Sequence, residues 1–127
     1  MEYTAAIPIN ILTKGQLTIN ATAVVYTEAF VLTRHRCFSL EVLFSSDTDV
    51  AVKIELEQGN VRPSVQGSYS SNFIVATPVV GTVTDENVHI YPLSPVVSVY
   101  ARLKLTGLSD NSVTTKVTRA NLVEVES

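Results

Sequence analysis

Apolar and polar residues alternate with period two along two neighbouring stretches of the chain. Phe38, Leu40, Val42 and Phe44 fall on one parity, and Cys37, Ser39, Glu41 and Leu43 on the other. After Ser45-Ser46-Asp47-Thr48-Asp49 the alternation resumes, with Val50, Val52, Ile54 and Leu56 set against Ala51, Lys53, Glu55 and Glu57. Successive side chains of a strand point to opposite faces. The pattern therefore predicts two antiparallel strands, each with one buried face, joined by a polar turn. A third such strand carries Val97, Val99, Ala101, Leu103 and Leu105 on one face, with Val96, Ser98, Tyr100, Arg102, Lys104 and Thr106 on the other.

The rest of the chain extends this reading. Ile7, Ile9 and Ile11 alternate with Pro8, Asn10 and Leu12. Pro8 has no N–H for a ladder, so residues 1–13 are expected as an extended arm or an edge strand, ahead of a single domain over 14–127. Gln16 to Tyr26 reads as one strand region with a change of phase near Ala21 to Val25. Residues 58–72 are polar and rich in Gly and Ser, and predict a loop. Short strands are expected at Phe73–Ala76, at Val79–Val83 and from Val88 to Leu93. The last runs from Val113 to about Val125, where a shift of phase predicts a β-bulge near Thr118 to Ala120. About eight short strands separated by turns favour a β-sandwich or barrel. Its core would draw on Phe38, Leu40, Val42, Phe44, Val50, Val52, Ile54, Leu56, Val97, Val99, Leu103 and Leu105.

Composition supports a sheet. Val, Thr and Ile make up about a third of the 127 residues, and β-branched side chains suit a pleated, half-buried surface. Charged residues are only 17%, against roughly 25% in an average soluble domain. Two explanations stand side by side: a surface rich in Ser and Thr, or an outer surface partly covered by other subunits. The net charge of −3 argues against a nucleic-acid footprint. No apolar run is long enough for a membrane helix. The start of the chain lacks the basic and apolar regions of a signal peptide, and one cysteine makes no internal disulfide, so synthesis in a cytoplasm is expected.

Candidate chemistry is sparse. Arg34-His35-Arg36-Cys37 places a thiol among cations, which favours a thiolate, but no acid–base partner is marked, and a cysteine opening a strand is an ordinary apolar filler. Arg34 and Arg36 are candidate contacts to a neighbouring subunit's carboxylates, or else a solvated turn. Asp47 and Asp49 fall short of the five or more oxygens of a calcium loop. His35 and His89 lack ligand-spaced companions for zinc. Asn20-Ala21-Thr22 matches the glycosylation triplet, a common chance match. Tyr69 and Tyr100 are candidates for a carbohydrate platform or for an interface. The expectation is a protein with no catalytic residues, no cofactor and no metal.

From Thr22 onward the order of features resembles small virion structural proteins of tailed bacteriophages. The resemblance is carried by "TEAFVL", "CFSLEVLFSSDTDVAVKIELEQGN", "SNFIVA" and "VVSVYARLKLTG", then a turn and a final strand. Tyr100, Arg102 and Gly107 match an aromatic–Arg pairing followed by a glycine turn. Many such proteins have "SNDG" and a Trp where this chain has Glu57-Gln58-Gly59-Asn60 and no Trp. The resemblance implies an antiparallel, jelly-roll-like β-sandwich without enzymatic activity, found in the virion, made in the host cytoplasm, and serving as a capsid decoration or minor head–tail subunit. It would contact other virion proteins and copies of itself, with no nucleic acid or membrane as partner. Ile7, Ile9, Ile11, Arg34, Arg36, Tyr69, Tyr100 and Arg102 are the candidate interface residues. A carbohydrate-binding β-sandwich module is the alternative.

Overall fold

Alternating stretches become strands, and their apolar parity becomes the inside of a two-layered sandwich. The structure is a computed structural model that describes residues 9–12, 15–31, 37–46, 49–60, 74–75, 79–93, 100–109 and 113–125. The strands are β1 (Ile9–Asn10), β2 (Leu17–Asn20), β3 (Val24–Tyr26), β4 (Phe30–Val31), β5 (Cys37–Ser46), β6 (Val52–Gly59), β7 (Ile74–Val75), β8 (Gly81–Val83), β9 (His89–Leu93), β10 (Tyr100–Gly107) and β11 (Thr114–Val125). There is no helix among the described residues.

One sheet has the order β1-β11-β5-β9, with β2 also on β11. The other has the order β3-β10-β6-β7, with β4 also on β10 and β8 on β6. All pairings are antiparallel. β1 with β2, β3 with β4, and β7 with β8 each lie along one shared neighbour, so the segments make eight interrupted runs. The first run pairs with the last, the second with the seventh, the third with the sixth and the fourth with the fifth. A long hairpin rolled in this way is a jelly roll, the double Greek key in which two sheets share one core. The expected antiparallel β-sandwich of about eight strands is the observed architecture.

The core follows the predicted parity. Leu40, Val42, Phe44, Val52, Ile54, Leu103 and Leu105 are fully buried, and Phe38, Val50 and Leu56 nearly so. Val97 and Val99 lie outside the described residues. The phase shift in the final strand is a bulge: Val117 pairs with Phe44, and pairing resumes with Arg119 opposite Leu43. The extra residue, Thr118, gives its hydroxyl hydrogen to the Leu43 carbonyl at 3.1 Å.

One expectation changes. Gln16 to Tyr26 is not one strand region: a turn at Ala21 and Thr22 carries the chain from β2 in one sheet to β3 in the other. Ala21 adopts a left-handed φ of 50° there. Its neighbourhood is tight, with the Ala21 N–H on the Val113 carbonyl and the Gly107 N–H on the Ala23 carbonyl. Of residues 1–13, the described Ile9 and Asn10 form β1 at the edge of the first sheet. β1 pairs with β11, and Ile11 and Leu12 turn into the core at 3% and 8% exposure. The Asn10 side chain accepts the Leu12 N–H at 3.0 Å and fixes this inward step.

Candidate functional site

The outer face of the second sheet concentrates aromatic, cationic and apolar side chains. β10 contributes the outward row Tyr100, Arg102, Lys104 and Thr106. Register places Gly59, Glu57, Glu55 and Lys53 of β6 opposite them in turn. On the other flank, Val31 of β4 stands opposite Tyr100, and Tyr26 and Val24 of β3 stand opposite Lys104 and Thr106.

At the centre, Arg102 Nε donates to Glu57 Oε1 at 2.7 Å, and both side chains are only 8% exposed. The guanidinium carbon lies 4.0 Å from the centroid of the Tyr26 ring, a cation–π geometry. Outward parity therefore does not mean solvent here. Glu57, read from its alternation as an outer-face position, is a buried partner of Arg102. Beside this centre Val24, Tyr26 and Val31 remain exposed, with Val31 at 61%. Tyr and Arg anchors within an apolar patch are the side chains on which protein interfaces depend most.

The local sequence explains the edge. Between β3 and β4, Thr27 is buried and replaces a stretch of ladder. Its N–H donates to the Leu103 carbonyl at 3.1 Å, and its hydroxyl oxygen accepts the Leu103 N–H at 2.9 Å. The opposite outer face, on the first sheet, is mixed: Glu41 accepts from Asn121 at 3.2 Å and from Arg119 at 3.5 Å, and Ile90, opposite Glu41 on β9, is 66% exposed.

A smaller cluster ties down the turn between β8 and β9. Asp85 Oδ1 lies 2.6 Å from His89 Nε2 and accepts the Asn87 N–H at 3.0 Å. The His89 ring stacks on Tyr91 at 5.9 Å between centroids. The hydrogen bond from His89, then that from the Asn87 backbone, hold the Asp85 carboxyl below its usual value. Burial pushes the Tyr91 phenol up, with the Asp85 charge adding to it. Glu86 accepts the Ser46 N–H at 2.9 Å and joins this turn to the end of β5. Among the described residues no three His, Cys, Asp or Glu side chains gather as metal ligands.

Of the candidate interface residues, Arg102 and Tyr100 lie on the Arg102 face, Arg102 buried and Tyr100 half-buried. Ile9 is 54% exposed on an edge of the other sheet. Ile11 is a core residue, so its side chain is committed inside this chain. Ile7, Arg34, Arg36 and Tyr69 lie outside the described residues. Tyr26, Val24, Val31 and Glu57 are site residues that alternation did not single out. The available signal was the apolar Val24-Val25-Tyr26 directly after the change of phase.

No family model matches the chain, and no curated protein does. Among solved structures, the chain is similar to a chain in the structure of infectious bursal disease virus, Gx strain, at 11% identity and a TM-score of 0.47. The match covers 94% of this chain and 37% of that one, so the chain spans little more than a third of the length of its match.

Proposed function

We propose that the protein is a structural subunit of a viral particle, of the tailed-phage kind, serving as a capsid decoration or minor head–tail component. It acts by binding and not by catalysis. The observation that carries this reading is the Arg102 face: a rigid jelly-roll sheet that presents Val24, Tyr26 and Val31 to solvent around a buried Arg–Glu pair. Such a surface contributes by excluding water from a complementary protein surface. A jelly roll is an architecture of viral capsid and lectin domains alike, and fold alone does not assign function, so the face and not the fold is the support.

Immunogold labelling of particles purified from the source tests the reading. Gold at fixed positions on heads or at the head–tail joint is the expected result. Label confined to the soluble fraction overturns it. Binding on a glycan array, together with absence from particles, would replace it with the carbohydrate-binding reading. Val24→Lys with Val31→Lys, at two exposed positions, should abolish particle association while leaving the β-sheet circular dichroism spectrum unchanged.

A further inference from the structure

The charges of the Arg102 face do not balance. Register sets Lys53, Glu55 and Glu57 of β6 opposite Thr106, Lys104 and Arg102 of β10. Arg102 takes Glu57 at 2.7 Å. Glu55 has two lysines beside it, Lys53 on its own strand and Lys104 across from it, and its carboxylate meets Lys53 at 3.5 Å. Glu28, next along the β3–β4 edge, lines a cleft with Ile11, Leu17 and Tyr26 and is itself engaged. Lys104 is left with no ion pair among the described residues. Lys116 also has none among them, but it is exposed, whereas Lys104 is half-buried.

A half-buried ammonium has given up part of its hydration and here gains no counter-charge of its own. A carboxylate brought onto it makes a charge-assisted hydrogen bond, and a second cation is repelled. The flank sets a further condition. Tyr26 stands opposite Lys104 and Val24 opposite Thr106 on β3, at 40% and 45% exposure. A matching surface therefore offers an acidic side chain beside an apolar one. A run of phosphates fits less well, since it calls for a row of cations, and here Glu55 and Glu57 lie in the same face on a chain of net charge −3.

We propose that the Arg102 face docks on an acidic segment of another particle protein, whose Asp or Glu carboxylate binds Lys104 while an adjoining apolar side chain covers Val24 and Tyr26. The proposal rests on the docking reading above and states the chemistry of the partner.

Co-sedimentation of the full chain with particles assembled in its absence tests the proposal. Lys104→Met should weaken association about tenfold, and Lys104→Glu about thirtyfold or more, because it sets like charges together. Lys104→Arg keeps the charge and should stay within about threefold of the parent. Lys116→Glu, on the other sheet, changes the net charge as Lys104→Glu does and should alter association by less than about twofold. Raising NaCl from about 50 to about 500 mM should weaken the parent more than Lys104→Met. Circular dichroism confirms folding, and Lys104→Met decides the matter if Lys104→Glu does not fold. Undiminished association of the folded Lys104 variants, or an equal loss from Lys116→Glu, overturns the proposal and leaves the docking reading in place. Loss of parent binding after nuclease treatment of the particles overturns it in favour of a phosphate backbone. Failure of the parent chain to sediment with particles overturns the docking reading, and the proposal with it.

Discussion

Removing one member of the Arg102–Glu57 pair should be far more damaging than its place on an outer sheet face suggests. Both side chains are 8% exposed, the N–O distance is 2.7 Å, and the guanidinium lies under the Tyr26 ring. Exposed ion pairs contribute about 0–1 kcal/mol. Breaking a buried pair costs roughly 3–5 kcal/mol, because one charge is left desolvated without its partner. Glu57→Leu and Arg102→Met should each fall in that higher range. The double variant removes both charges and should be more stable than either single one. Urea unfolding followed by circular dichroism gives all three values and the coupling between the sites. At roughly 3–5 °C per kcal/mol for a domain of this size, each single variant should lose at least about 10 °C in Tm. Single substitutions costing under about 1 kcal/mol, or a double variant worse than their sum, would refute the reasoning, because the pair would then be solvated.

The remaining predictions concern the turns and the chain's beginning. A Cβ on Gly107 would run into the Ala21 carbonyl oxygen, so Gly107→Ala should destabilise by about 3 kcal/mol in urea melts, the upper range for overpacking. Thr106 Oγ1 is buried with no hydrogen-bond partner. Thr106→Val should therefore leave stability unchanged or raise it by about 1 kcal/mol. The Asp85 carboxyl is held below its usual value of 3.8, so its stabilising effect is present above that pH and is lost as pH falls through the depressed folded value. Urea midpoints measured from about pH 5 down to pH 2 should fall less steeply for Asp85→Asn than for the parent protein. Deleting residues 1–8 should leave a cooperative melt. Deleting 1–12 removes two core side chains, Ile11 and Leu12, and should cost roughly 4 kcal/mol or more.

The long central strands were legible because each has one face in the core and one away from it. β5, β6, β10 and β11 follow from Phe38 to Phe44, Val52 to Leu56, Leu103 with Leu105, and the phase shift at Thr118. The change of phase at Ala21 was visible too, but a phase change alone does not distinguish a bulge within one strand from a turn between sheets. The left-handed φ of Ala21, on a residue other than Gly, gave no compositional warning. Burial of Glu57 and Arg102 was not legible. Alternation separates the face toward the core from the face away from it, and says nothing of what covers the latter. The two residues are 45 positions apart and meet only through the register of β6 and β10. The contact of Asp85 with His89 was not singled out either, because a spacing of four brings side chains together on a helix and carries no such implication from a turn into a strand.

The placement of these features bears on how the protein docks. Strand addition needs a long, uninterrupted edge whose N–H and C=O groups are free. Here the long strands β5, β6, β10 and β11 are each paired on both sides. The edge positions hold only short segments. The longest is β9, five residues that include Pro92. The β3–β4 edge is interrupted at Thr27 and the β1–β2 edge by the inward step of Ile11 and Leu12. Edges broken in this way resist open-ended pairing with other chains, a hazard for any protein present in many copies. Main-chain pairing would also recognise a partner with little regard to its sequence. Side-chain recognition does not share that weakness. Val24, Tyr26 and Val31 on the Arg102 face demand a complementary shape, so the fold favours side-chain recognition there over main-chain pairing along an edge.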